Sequence, residues 1–104
     1  NSMLKFQGTL YNKLITMSAS TSLRYSQVSP EILKQTGQPY AGDFVTIDSL
    51  TIGTTLLQDI RCHVNEDLVL LEPETDAPID FILGLNEIRD FLFTIDFCDK
   101  KLYL

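Results

Sequence analysis

Histidine occurs once and cysteine twice in this 104-residue chain, too few for a disulfide framework and too dispersed for a zinc cluster. Cations are short as well: 8 Lys plus Arg face 14 Asp plus Glu, a formal net charge of −6. With so little positive field to collect phosphates or anionic headgroups, nucleic acid and membrane surfaces are not expected partners. No apolar run approaches the roughly 20 residues that a membrane-spanning helix needs. There is no phosphate-cradling glycine loop, no dinucleotide fingerprint, no solenoid repeat and no low-complexity segment, so no cofactor is expected.

What is present is globular: 44% hydrophobic, 10% aromatic and 21% charged residues, at a length that holds one compact core. Asn1-Ser2-Met3 reads as an expression-tag remnant and residues 4–104 as the domain itself, excised from a longer protein. Reduced thiols fit an intracellular home, cytoplasmic or nuclear.

Residues 4–10 alternate apolar and polar, and Leu14-Ile15-Thr16-Met17 follows the turn-like Tyr11-Asn12-Lys13, which predicts a β-hairpin. Leu23-Arg24-Tyr25-Ser26 reads as a short returning strand. Residues 29–37 carry a serine N-cap, proline at the first helical position and a terminating glycine, the marks of one short helix. Phe44-Val45-Thr46-Ile47-Asp48 and Leu50-Thr51-Ile52-Gly53 read as a strand kinked at Asp48-Ser49. In the next strand Leu56, Gln58, Ile60, Cys62 and Val64 share the core face, which buries Cys62 and exposes His63. These neighbours point apart and cannot converge on one metal. Leu68-Val69-Leu70-Leu71 is a further strand, followed by an acidic, proline-punctuated loop over residues 72–78. Glu66, Asp67, Glu72, Glu74, Asp76 and Asp80 read as a solvated acidic patch, with docking of a basic partner as the alternative. Residues 80–84 form a buried strand, residues 86–91 a short helix capped by Asn86, and residues 92–97 with Leu102-Tyr103-Leu104 a closing hairpin. Many short strands with regular turn signals predict a mostly-β closed barrel with one or two short helices.

The segment Phe81-Ile82-Leu83-Gly84-Leu85-Asn86-Glu87-Ile88-Arg89-Asp90-Phe91 with Thr94-Ile95-Asp96-Phe97 resembles the closing segment of retropepsin-like aspartic proteases, of the retrotransposon-derived and ubiquitin-shuttle style. Residues 4–17 resemble the strand-turn-strand that precedes that family's catalytic Asp-Thr/Ser-Gly. The resemblance implies a single lobe that dimerises, with terminal strands in the interface: Leu4, Phe6, Leu102, Tyr103 and Leu104. It also sets Ser18, Ala19 and Ser20 where the family has the catalytic triplet, and gives only residues 38–43 for the flap that covers substrate. Two carboxylates sharing a proton drive such a protease, one activating water while the other protonates the leaving group. A serine hydroxyl does not titrate in that range. The expectation is therefore a non-catalytic lobe, with no catalytic residue at the degenerate motif, serving as a homodimer or binding a protein or peptide. The alternative is an active endopeptidase that uses a different carboxylate, Asp48, whose Asp-Ser pair follows an apolar strand. Asp48 nonetheless stands much closer to Gly84 in sequence than Ser18 does, and Leu50 follows where glycine is wanted.

Overall fold

A computed structural model describes residues 5–68 and 79–98. Six strands, β1 (Phe6–Leu10), β2 (Lys13–Ala19), β3 (Ser26–Val28), β4 (Phe44–Ile52), β5 (Thr55–Val64) and β6 (Phe81–Leu83), close a barrel in the order β1-β2-β6-β3-β5-β4. Two helices, α1 (Pro30–Thr36) and α2 (Leu85–Cys98), complete the described residues. The mostly-β closed barrel expected from the sequence is the observed architecture.

β1 and β2 pair antiparallel from Phe6↔Met17 to Leu10↔Lys13 around a two-residue turn. Both turn residues, Tyr11 and Asn12, take positive φ (47° and 70°), which matches the strand twist of a tight hairpin. Asparagine tolerates this conformation. Tyr11 is held there by its hydroxyl, which donates to Gln38 Oε1 (2.8 Å) and accepts from the Asp48 N–H (2.9 Å). α1 obeys its sequence signals: Ser29 caps the N-terminus and Gly37, at φ 75°, the C-terminus.

β4 and β5 form a long antiparallel hairpin in one register, Phe44↔His63 through Ile52↔Thr55. β4 does not break at Asp48-Ser49. Instead the inward phase slips in both strands at once: Val45, Ile47 and Leu50 are buried on β4, and Leu57, Ile60 and Cys62 on β5. Asp59, at φ 54°, is the residue where β5 changes phase. So Leu57 is core and Leu56 exposed, and Gln58 is exposed too, the reverse of strict alternation from Cys62. Cys62 is fully buried as expected, whereas His63 is only half-exposed, its ring edge-on to Phe44 at 5.3 Å.

The last described element departs most from the sequence reading. Residues 92–97 are not a strand: α2 runs unbroken through them. Apolar residues at 88, 91, 92 and 95 carry the helical spacing that the 93, 95, 97 alternation disguises. Once Ile88 and Phe91 pack the first turns on the barrel, extending the helix fixes one residue per hydrogen bond, whereas a new strand would need a partner edge. The helix also starts at Leu85, so Asn86 lies inside its first turn and Gly84 stands before it. Leu23-Arg24-Tyr25 stays a loop, with β3 beginning at Ser26. Residues 69–78 and 99–104, where the sequence reading places most of a strand, the acidic loop and the closing turn and strand, lie outside the described residues.

The main core gathers Leu10, Ile15, Met17, Val28, Ile47, Leu50, Ile60, Phe81 and Leu83 with α1's Leu33. A second cluster, Leu68, Ile79 and Ile82 with Leu23 against it, is separate.

Candidate functional site

β2 pairs parallel to β6, with Met17↔Phe81, Ser18↔Ile82 and Ala19↔Leu83 in register. Ser18 is therefore a strand residue two positions from the level of Gly84, and not the first residue of a loop after the strand. The chain leaves the strand at Ser20, whose N–H donates to the Leu83 carbonyl (3.0 Å). There Ser20 Oγ accepts from the Ser22 N–H (3.3 Å) and lies 2.8 Å from Ser22 Oγ. This is a side-chain-closed turn, the usual work of serine in loops. The first loop triplet is thus Ser20-Thr21-Ser22, and no carboxylate occurs in the sequence before Glu31.

The rest of the loop is locked to α2. The Leu85 N–H donates to the Leu23 carbonyl (2.6 Å) and the Asn86 N–H to the Arg24 carbonyl (3.3 Å). Helix N–H groups that no intrahelical carbonyl can reach are satisfied in this way. Gly84 allows the approach, because a Cβ there would lie 2.5 to 2.7 Å from backbone atoms of Tyr25 and Ser26. Its N–H donates to Ser26 Oγ (2.9 Å), and Ser26 Oγ donates in turn to Glu87 Oε1 (2.7 Å). Glu87 is only 9% exposed. Its place in the first turn of α2 sets its charge at the favourable end of the helix dipole. Burial pushes the Cys62 thiol well up, and the Glu87 charge adds to it. Cys62 is a thiol packed in the core and not a nucleophile.

Ser18 is fully buried, and its hydroxyl has no hydrogen-bond partner among the described residues. Such a group costs about 1–3 kcal/mol relative to a paired one. Asp48 sits elsewhere: exposed, on β4, with its N–H on the Tyr11 hydroxyl at the turn of the β1–β2 hairpin. From that turn β2 runs 7 residues before Ser20, roughly 20 Å at about 3.3 Å per residue. Asp48 and the Ser20 loop stand at opposite ends of the hairpin. Phe6 leans on the main core and is partly buried; Leu4, Leu102, Tyr103 and Leu104 lie outside the described residues.

Asp80 ties three elements together. Its Oδ2 accepts from the Thr16 N–H (3.0 Å) and its N–H donates to the Thr16 carbonyl (2.9 Å), while its own carbonyl accepts from the Ser29 N–H (2.9 Å). Burial raises its carboxyl, against the lowering effects of the Thr16 N–H and Lys13.

Residues 38–43 make a tight turn, Ala41 bridging to Phe44 with Gly42 at φ 77°, and raise no hairpin over the loop. Beside it Arg61 lies over the Phe44 ring (4.6 Å to the centroid), with Tyr25 edge-on to the same ring at 5.7 Å. A cavity of about 350 Å³ opens there, lined by residues that include Asp43, Phe44, Thr46 and Arg61. Among the described residues, no three His, Cys, Asp or Glu side chains gather as metal ligands, and no helix is long and apolar enough to cross a membrane.

The sequence reading missed the Ser26–Glu87 pair and the Leu23, Leu68, Ile79, Ile82 cluster. Glu87 carried one signal, an acid in the first turn of a helix after glycine. Ser26 carried none, because its role exists only through a residue 61 positions away.

No protein-family model matches the chain, and no curated protein matches it by sequence. Solved structures do. A retropepsin-like aspartic protease from Rickettsia conorii superposes with a TM-score of 0.62 at 16% identity, covering 85% of this chain and 71% of that one. The retroviral protease-like domain of Ddi1 from Leishmania major superposes at 0.59 and 12% identity, covering 86% and 74%. The fold is that of a retropepsin-like lobe.

Proposed function

We propose that this retropepsin-like lobe is non-catalytic and serves to join proteins, through a homodimer or by holding a partner polypeptide. The observation that carries the reading is the loop after β2. In this fold the strand-turn-strand leads into the catalytic triplet, and here that exit holds Ser20-Thr21-Ser22, whose two serine hydroxyls close a turn on each other. Counted from the strand end, Ser20 takes the aspartate's place, two residues beyond the Ser18 that sequence alone suggested. Either frame puts a hydroxyl where proton exchange between paired carboxylates is needed. The tight turn over residues 38–43 supports the same reading, since a site without a flap stays wet.

The Asp48 alternative finds no support in the geometry, because a carboxylate at the far end of the hairpin cannot meet the loop that would bind the scissile bond. Dimerisation through Leu4, Phe6, Leu102, Tyr103 and Leu104 belongs to the same proposal: paired terminal edges are shielded, and a two-fold interface uses each strand twice. Sedimentation across micromolar concentrations tests it, with a concentration-dependent species of twice 11.8 kDa expected and one invariant 11.8 kDa species contradicting it. The paucity of cysteine fits a reducing cytoplasm or nucleus. Catalysis is tested by digesting peptide libraries between pH 4 and 7 with the wild type and Asp48→Asn; no turnover is expected from either.

A further inference from the structure

Three segments meet where β3 and β5 end side by side. The Asn65 N–H donates to the Val28 carbonyl (3.0 Å) and the Val64 N–H to the Asp43 carbonyl (2.8 Å), which brings together the start of α1, the chain leaving β5 and the turn over residues 38–43. Between them opens a cavity of about 500 Å³, lined by Ser29, Pro30, Glu31, Lys34, Tyr40 and Glu66. That size falls in the range of ligand sites, roughly 300–1,000 Å³. None of these residues belongs to β2, β6 or the Ser20-Thr21-Ser22 turn. The turn that raises no flap over the loop gives this cavity one wall instead, the Tyr40 side chain, which is 44% exposed.

The walls are held by hydrogen bonds of the main chain. Ser29 caps α1 through its Oγ, which accepts from the Glu31 N–H (3.2 Å), and its own N–H donates to the Asp80 carbonyl (2.9 Å). Pro30 fixes the first helical φ. On the other side Asn65 Oδ1 accepts from the Asp67 N–H (2.9 Å), closing a turn around Glu66. Two carboxylates, Glu31 and Glu66, thus line one cavity from separate segments, beside an aromatic ring and a proline ring, against the single ammonium of Lys34. Asp67 follows Glu66 in the same turn, so the local balance stays negative despite Lys34 and the partial positive charge at the start of the short helix. Carboxylates beside an open aromatic face suit a cation with a flat head. Guanidinium meets that better than ammonium, since it forks to carboxylates and stacks on rings while keeping its charge. The chain's net charge of −6 attracts a cation from longer range as well.

We propose that this cavity receives an arginine side chain from a basic segment of a partner polypeptide, its guanidinium between Glu31 and Glu66 and its flat face on Tyr40. This rests on the reading of the lobe as a module that joins proteins and deepens it by naming the partner's chemistry. Lys34 competes with the incoming cation. Its ammonium neutralises part of the charge of the two glutamates, so removing it strengthens the site without adding a contact.

The test titrates acetyl-Gly-Arg-Gly-amide into the whole chain at low salt and reads backbone amide shifts at Glu31, Tyr40 and Glu66. Saturable shifts at all three are expected with arginine, and none with citrulline in its place, which keeps the shape and loses the charge. Glu66→Gln is expected to bind about threefold more weakly and Lys34→Gln about threefold more tightly, the size of effect that exposed charges carry. Tyr40→Leu is expected to bind arginine and lysine peptides alike, whereas wild type prefers arginine. Glu66, Lys34 and Tyr40 are all exposed, so these variants leave the core intact. Leu14→Ser, at a residue 61% exposed on the first hairpin, is expected to bind as wild type does. Absence of shifts with arginine, equal shifts with citrulline, or affinities that Glu66→Gln and Lys34→Gln leave unchanged overturn the proposal. Such a result removes this site alone; turnover in the peptide-library digestion contradicts the non-catalytic reading instead.

Discussion

Asp80 shows how one side chain can cost and stabilise at once. Its carboxyl ties Thr16 to the head of β6, yet burial lifts its pKa in the folded state. A carboxyl raised above its unfolded value keeps its proton longer when folded, so its contribution is most favourable at acid pH and is lost as pH rises through the folded pKa. Asp80→Asn keeps an acceptor for the Thr16 N–H without the charge. Urea unfolding is expected to show the variant at least as stable as wild type at pH 7, with the advantage gone at pH 3; a clear loss at pH 7 would mean that attraction to Lys13 outweighs burial. Ser26 is the opposite case, since its hydroxyl serves the Gly84 N–H and the Glu87 carboxylate together. Ser26→Ala leaves both buried groups without that partner and is expected to cost about 2–4 kcal/mol in urea unfolding. A loss under about 1 kcal/mol would mean that water replaces the hydroxyl.

Among the elements, those that local chemistry decides were legible in the sequence and those that tertiary contacts decide were not. α1 carries its cap, its proline and its stop within nine residues, and the first hairpin announces itself by alternation. The phase slip at Asp48 and Asp59 leaves no such mark, because only a left-handed Asp59 converts Leu57 from outside to inside. Residues 92–97 fit two periods, and packing of Ile88 and Phe91 chose the helix. The junction of β6 and α2 depends on Gly84, and a pair of variants isolates the reason. Gly53 has positive φ (62°) and open space around it, whereas Gly84 faces backbone. Gly53→Ala is expected to cost about 1 kcal/mol, from strain alone. Gly84→Ala is expected to cost about 3 kcal/mol or more, because overpacking against main chain cannot relax by a rotamer change. Equal melting temperatures for the two would refute the close-approach account.

For the molecule as a whole, the barrel was legible because strand spacing and the Ile-Leu-Gly segment act at the level of pattern, while the end of the strand before the serine-rich loop was legible only to within two residues. Ser18 and Ser20 are indistinguishable in a run of small polar residues, and only the Ala19↔Leu83 pairing shows where the strand ends. The satellite cluster was hidden for a related reason: Leu23, Leu68, Ile79 and Ile82 come from four separate segments, so no local pattern joins them. The central claim is that this lobe keeps the retropepsin-like frame without its chemistry. Digestion of a mixed peptide library by the purified protein from pH 4 to 7, followed by mass spectrometry, tests it most directly. The account predicts no cleavage products from wild type at any pH in that range. Products that appear with wild type and vanish with Asp48→Asn would contradict it.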